Sequence, residues 1–224
     1  MGNVVFFLKT VRWITVVIAT TVIVSLLTSC SMGQVNIDEQ IHSRAKNIQQ
    51  SMDHPASWES IVSSGLHEDL IINKDFEAIV ALGVAALPEL IRFLEHSDQD
   101  IFIEYIYALA LERISKVDLK KEMDWHSRKE FLTTYKAYLK EIPNKVQRIA
   151  DEPISDTKKN DQLKALGAPA IPYLFDVIDN GHQELSPAFN YLTNNESKGD
   201  IQKWGIDNVD QLNLLINFVE MYKH

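Results

Sequence analysis

Few residues of this chain have the chemistry of a ligand, nucleophile or base: one cysteine, Cys30, seven histidines and some acidic pairs. His67-Glu68 opens like the helix of a zinc protease, but His-Glu-x-x-His requires histidine where Ile71 stands. An essential ligand is missing, and an exposed turn pair is the plainer reading. His42, His54, His96, His126, His182 and His224 are scattered with no ligand spacing. Asp98-Gln99-Asp100 and Asp207-Asn208-Val209-Asp210 lack the glycine and the distal glutamate of a calcium loop, and helix capping accounts for Asp98 and Asp207. The sequence contains no Gly-x-Ser-x-Gly, no phosphate loop and no dinucleotide fingerprint. No catalytic residue, metal ligand or cofactor site is expected, and the chain does not read as an enzyme.

What remains is recognition. Trp58, Trp125 and Trp204, with Tyr105, Tyr107, Tyr135, Tyr138, Tyr173, Tyr191 and Tyr222, are of the types that dominate binding hot spots. Large aromatics in a helical protein mostly pack, which is the reading for Trp58 and Trp204. Trp125 stands in a charged stretch and is open to either role. Trp125, Tyr107 and Tyr173 are the candidate partner contacts.

The surroundings of Cys30 give it a more definite use. Met1 to Arg12 carries Lys9 and Arg12 with no acid, and Trp13 to Leu27 is uncharged. A basic start, an apolar core and small residues at its end make a secretory signal. Leu27-Thr28-Ser29-Cys30 resembles the lipobox of bacterial lipoproteins, in which an aliphatic residue and two small residues precede the lipid-accepting cysteine. The resemblance implies diacylglycerol on the Cys30 thiol, cleavage before Cys30 and a fatty-acylated mature chain anchored in the membrane by its lipid. An uncleaved membrane anchor is the alternative, because the uncharged run continues to Ile37 and exceeds the roughly 20 apolar residues that span a bilayer. Thr28, Ser29, Ser31, Gly33, Gln34 and Asn36 make a poor second half for such a helix. Both readings put the body on the extracytoplasmic face of the cell membrane.

The formal net charge is −9, and residues 1–29 contribute Lys9 and Arg12 without an acid, leaving −11 for the rest. Such acidity argues against nucleic acid or anionic lipid headgroups as partners, since both demand a surplus of Lys and Arg. With Cys30 lipidated, the mature body has neither a free thiol nor a disulfide and depends on packing alone.

Elements follow from periodicity. Ile37, Ile41, Ala45 and Ile48 predict a helix over about residues 38–51, and two short helices are expected between Ala56 and Asn73. Phe76, Ile79 and Val80 precede Gly83, which suits a turn of positive φ. Leu87, Leu90, Ile91 and Leu94 then form a stripe, with Pro88 in the first turn of its helix. Phe102, Tyr105, Ile106 and Leu109 form another. Further on, the pattern predicts a helix over about 126–141 ended by Pro143, a surface connection at 152–160, a helix over 183–192, a polar loop at 194–205 and a last helix capped by Asp207, with Leu212, Leu215, Ile216 and Val219 inward.

One unit occurs twice. Ala81-Leu82-Gly83-Val84-Ala85-Ala86-Leu87-Pro88-Glu89-Leu90 aligns without gaps with Ala165-Leu166-Gly167-Ala168-Pro169-Ala170-Ile171-Pro172-Tyr173-Leu174, 84 residues later. Both copies resemble HEAT-like repeats, whose second helix commonly begins Leu-Gly-x-x-Ala-Ile/Leu-Pro-x-Leu, and the offset is about twice the 40 to 47 residues of one such unit. The resemblance covers residues 75–115 and 161–193. It implies an all-α, short HEAT-like solenoid of stacked helix pairs, used mainly for protein contacts.

The expected organisation is a lipoprotein signal peptide at 1–29, a lipidated N-terminus and tether at 30–37, and a HEAT-like helical domain at 38–224. The expected role is a protein-interaction or scaffolding lipoprotein of the cell envelope with an envelope protein as partner. An envelope enzyme or small-ligand-binding lipoprotein with a site on a concave face is the alternative.

Overall fold

The structure, a computed structural model, describes residues 37–51, 71–97, 101–117, 119, 125, 127–195 and 200–223. The lipobox, Trp58, His54, His67, Glu68, residues 98–100, His126 and His224 lie outside these, as does most of the pair of helices expected at 56–73. The chain divides into two units, residues 1–40 and 41–224. Of the first, only the helical residues 37–40 are described. Every regular element among the described residues is helical, so the body is all-α. No described helix is long and apolar enough to cross a membrane.

Helix α1 spans residues 37–50, as its periodicity predicts. Ile41, Ala45 and Ile48, spaced four and three apart, are fully buried on one face. Helix α2, Lys74–Val80, starts at Asn73, whose side-chain oxygen accepts from the amides of Asp75 at 2.9 Å and Phe76 at 3.1 Å. Gly83 then turns the chain with φ +64° into a 3-10 segment, Gly83–Ala86, and helix α3, Leu87–His96, follows with Pro88 in its first turn. The predicted stripe of Leu87, Leu90, Ile91 and Leu94 is buried to the last residue.

Helix α4, Ile101–Ser115, is the centre of the body. Its expected stripe of Phe102, Tyr105, Ile106 and Leu109 is buried, and so is every residue from 102 to 111. A helix covered on all sides has neighbours on all sides. Here these are α2, α3, the turn at Gly83–Ala86, and two later elements, helix α5 (Arg128–Asp151) and the turn Ala168–Ala170. The buried carboxylate of Glu104 is matched by Arg128 at 3.3 Å, which avoids an uncompensated charge in the core.

Pro143 does not end its helix. α5 runs 24 residues through it to Asp151, taking in Val146 to Ala150. Buried side chains continue across the proline, from Phe131, Tyr135, Leu139 and Ile142 to Val146, Ile149 and Ala150, and their burial outweighs the lost backbone hydrogen bond. Likewise part of the expected connection at 152–160 is helical. Ser155 caps α6, Asp156–Ala165.

The second copy of the repeated unit reproduces the first: Gly167 has φ +64°, a 3-10 turn covers Ala168–Ala170, and helix α7, Ile171–Asp179, carries Pro172 in its first turn. A short turn at Gln183–Leu185 leads to α8, Ser186–Thr193, with Leu185, Phe189 and Leu192 buried as expected. The expected polar loop at 194–205 is corrected in its second half, where Asp200 caps helix α9, Ile201–Asp207. Asp200 Oδ1 accepts from the amides of Gln202 and Lys203, and Trp204 packs edge-on to Phe189 with 5.1 Å between ring centres. Asp207 thus ends one helix instead of capping the next. Helix α10, Val209–Glu220, buries Leu212, Leu215, Phe218 and Val219, so Phe218 takes the place expected for Ile216.

The last helix has an arrangement that a linear array would lack. α10 packs on α5, α7 and α9, and it touches both glycine turns, Gly83–Ala86 and Ala168–Ala170. In a simple stack each unit meets only its neighbours. In this body the C-terminal helix bridges the two copies.

Candidate functional site

The candidate contacts predicted from sequence are not brought together. Cys30 lies outside the described residues. Trp125 is 1% exposed, wedged between Tyr105, with ring centres 5.7 Å apart, and the edge of Phe131 at 4.9 Å. Flanking charge gave it the look of a surface residue, but α4 and α5 supply aromatic faces on which an indole is better placed than in water. Tyr107 is also in the core: its ring stacks on Phe93 at 5.1 Å and its hydroxyl shares a 3.1 Å hydrogen bond with His42 Nδ1. Neither presents a surface to a partner.

Tyr173, half-buried on α7, is part of a latch. Its hydroxyl donates to Glu220 Oε1 at 3.2 Å, and Lys223 pairs with the same carboxylate while its ammonium stands 5.8 Å from the Tyr173 ring centre. Burial, then the Glu220 charge, pushes the Tyr173 hydroxyl far above the usual phenol range. Next to it, Tyr222 is pushed up to about 12 by burial and then by Glu95, and Lys136 joins Glu95 at 2.6 Å. These contacts fasten the end of α10 to α7, α5 and α3.

His182 sits between two carboxylates, with Nδ1 3.0 Å from Glu184 Oε1 and Nε2 3.9 Å from Asp151. Glu184 is held below the usual carboxylate range by its own backbone N–H and by His182. Among the described residues no group of His, Cys, Asp and Glu forms a metal-holding cluster.

A groove of about 660 Å³ forms where the end of α7, the start of α8 and the start of α9 converge. Ile178, Pro187 and Ile201 supply its apolar surface. Gln183, Ser186, Asn190, Tyr191, Asn195, Asp200 and Gln202 supply its polar surface. Local hydrogen bonds hold these elements in place. The Ser186 hydroxyl donates to the Gln183 carbonyl at 2.6 Å, and Gln183 Nε2 donates to the Ile178 carbonyl at 2.9 Å. Gln202 Nε2 reaches Asp179 Oδ1 at 2.6 Å and ties α9 to α7.

Tyr191, 56% exposed, stands at the rim. It is the one exposed member of the tyrosines singled out from the sequence, and its position rests on Lys116. Lys116 has φ +55° at the end of α4, and its ammonium donates to the carbonyls of Tyr191 at 3.2 Å and Leu192 at 3.1 Å and to Asn194 Oδ1 at 2.9 Å. It thereby caps the C-terminus of α8, where carbonyls lack intrahelical donors. Partial burial lowers the Lys116 pKa. Lys164, paired with Asp161 at 3.2 Å, lies 5.8 Å from the same tyrosine ring. No sequence signal marks Lys116, because its carbonyl partners are about 75 residues away and any lysine at a helix end looks alike.

The chain matches no protein-family model, and it shows no significant similarity to a curated protein or to a solved structure.

Proposed function

We propose that the chain is an exported lipoprotein, anchored on the extracytoplasmic face of the cell membrane through lipid on Cys30, whose helical body is a protein-interaction module of the envelope. The anchor half of the reading rests on Leu27-Thr28-Ser29-Cys30 and the basic and apolar residues before it. Two or more acyl chains on one thiol give stable membrane attachment. A Cys30→Ala chain is then released into the soluble fraction, and its retention in membranes after alkaline washing would establish the uncleaved anchor instead.

The module half is carried by Tyr191. An aromatic ring more than half exposed, held in place by a lysine that caps its own helix and set at the rim of a groove, is a preorganised contact. The two matched units, each with a glycine at φ +64°, a 3-10 turn and a proline-started helix, support reading them as HEAT-like pairs, here closed by α10. A groove of this size also falls within the range of about 300 to 1,000 Å³ used by small ligands, which favours a ligand-binding lipoprotein as the second reading. Cross-linking on intact cells, followed by purification of the tagged chain, separates the two. A recurrent envelope protein that disappears with Tyr191→Ala supports the module, and a chain recovered without any protein partner supports the small-ligand role.

A further inference from the structure

The internal repeat extends past its glycine turns. Carried forward at the same offset of 84 residues, it lays α8 on α4 and Tyr191 on Tyr107. Burial agrees with this register on the inner side, where Tyr105 and Ala108 of α4 are buried and so are their counterparts Phe189 and Leu192. The outer side differs. On α4, Phe102, Ile103, Ile106 and Tyr107 are covered as well, whereas their counterparts Ser186, Pro187, Asn190 and Tyr191 form one wall of the groove. At Tyr107 one of the covering elements is α1: His42 meets the tyrosine hydroxyl at 3.1 Å and lies 6.2 Å from the ring of Phe93, on which Tyr107 stacks. Ile41, Ala45 and Ile48 of the same helix are fully buried. Among the described residues no helix takes that place at Tyr191, whose ring is 56% exposed and whose hydroxyl has no protein partner there.

We propose that the groove receives an amphipathic helix of the partner protein, laid on the second copy as α1 is laid on the first. The inference rests on the interaction reading and names the contact it uses. In a helical stack no unit buries its face alone, and a face left over is completed by the next helix to arrive. Recognition of a helix in a groove uses apolar anchors at i, i+3 or i+4 and i+7, the spacing that Ile41, Ala45 and Ile48 show in α1. Ile178, Pro187 and Ile201 receive the anchors, and a hydrogen-bonding side chain beside the stripe, as His42 stands beside Ile41, reaches the Tyr191 hydroxyl. Ser186 and Asn190 in place of Phe102 and Ile106 suit a face that meets water whenever the partner leaves, since reversible interfaces are more polar than permanent cores. An extended segment has no sheet edge to join, because every regular element among the described residues is helical.

Photo-cross-linking on intact cells tests it, with p-benzoylphenylalanine in place of Pro187 in the groove or, as the control, in place of Lys129 on the exposed side of α5. The expected product at Pro187, absent at Lys129, is one segment of an envelope protein with apolar residues at helical spacing. A synthetic peptide of that segment should bind the purified full chain in detergent with a gain in helical circular dichroism, and should fail to bind with a proline at its centre. Its affinity is expected to fall about 30-fold in Tyr191→Ala and about fivefold in Tyr191→Phe, both variants keeping the helical content of the wild type. A captured segment without helical spacing, binding without a gain in helix, equal affinity for Tyr191→Ala, or capture of a second copy of this chain overturns the proposal. A Tyr191-dependent partner captured at Lys129 and not at Pro187 also overturns it and leaves the interaction reading standing. Capture of no protein from either position removes both.

Discussion

Lys116 holds Tyr191 twice: its ammonium donates to the Tyr191 carbonyl at 3.2 Å and lies 5.3 Å from the centre of the same residue's ring. The contact joins the end of α4 to the end of α8, across 75 residues of sequence. The three acceptors that its ammonium reaches offset the cost of a non-glycine residue at φ +55° there.

Replacing Lys116 by alanine therefore removes a cap and leaves the strained backbone in place. We expect a loss of about 1 kcal/mol, a figure already reduced for the solvent that reaches this ammonium, measured by urea unfolding. Lys116→Gly, which relieves the backbone but not the cap, should fall between wild type and Lys116→Ala.

The two repeated glycines are equal in sequence and unequal in packing. Gly83 needs only its positive φ, with nothing within 4 Å of an added Cβ. Gly167 combines φ +64° with ψ −170°, and a Cβ there would stand 2.2 Å from the Ser115 carbonyl oxygen and 2.7 Å from Val117. Gly83→Ala is expected to cost about 1–2 kcal/mol and Gly167→Ala more than about 3 kcal/mol. Thermal unfolding of both variants checks the order, and equal losses would mean that the 115–117 segment moves aside freely.

Alkali should unfold the body. Burial raises the hydroxyls of Tyr135, Tyr173 and Tyr222, the last to about 12, while in the unfolded chain each titrates near about 10. Between these values the native state holds more protons, so the stabilisation is complete below about pH 10 and is lost as pH rises towards and beyond about 12. Lys116 has the opposite sign, because its lowered pKa makes the native state release its proton first, but it is one partly exposed group against three phenols. Urea midpoints at about pH 9 and about pH 11 should differ, with the lower at high pH. Tyr135→Phe, which removes a fully buried phenol hydroxyl, should narrow the difference.

Pro143 offers a gain. It leaves the Leu139 carbonyl without its helical donor in the middle of a 24-residue helix, so Pro143→Ala should stabilise α5 by about 2 kcal/mol. A lower melting temperature in this variant would show that the surrounding core is fitted to the proline ring.

The sequence carried the helical periodicity of α1, α3, α8 and α10, because side-chain burial at three- and four-residue spacing is local information. It carried both glycine turns for the same reason. It misjudged Pro143 and residues 201–207, where local breakers are overridden by contacts made elsewhere, with buried Val146 and Ile149 on one side and Trp204 against Phe189 on the other. It could not separate Trp125 from an exposed tryptophan, since the rings that cover it come from α4 and α5. Of the groove, only Tyr191 was in view, because the amides of Gln183 and Gln202 gain their direction from carbonyl and carboxylate partners that composition does not reveal.

The bridging position of α10 also bears on how the chain is made. The helix that touches both glycine turns follows every other described helix in the chain, so the core stays open until residues 209–220 are free. A chain cut short before residue 209 would expose the inner faces of both copies at once and become prey to proteases. Nor can such a body grow by duplicating a unit, as an open-ended array can, because an inserted pair would pull its two turns away from the one helix they share.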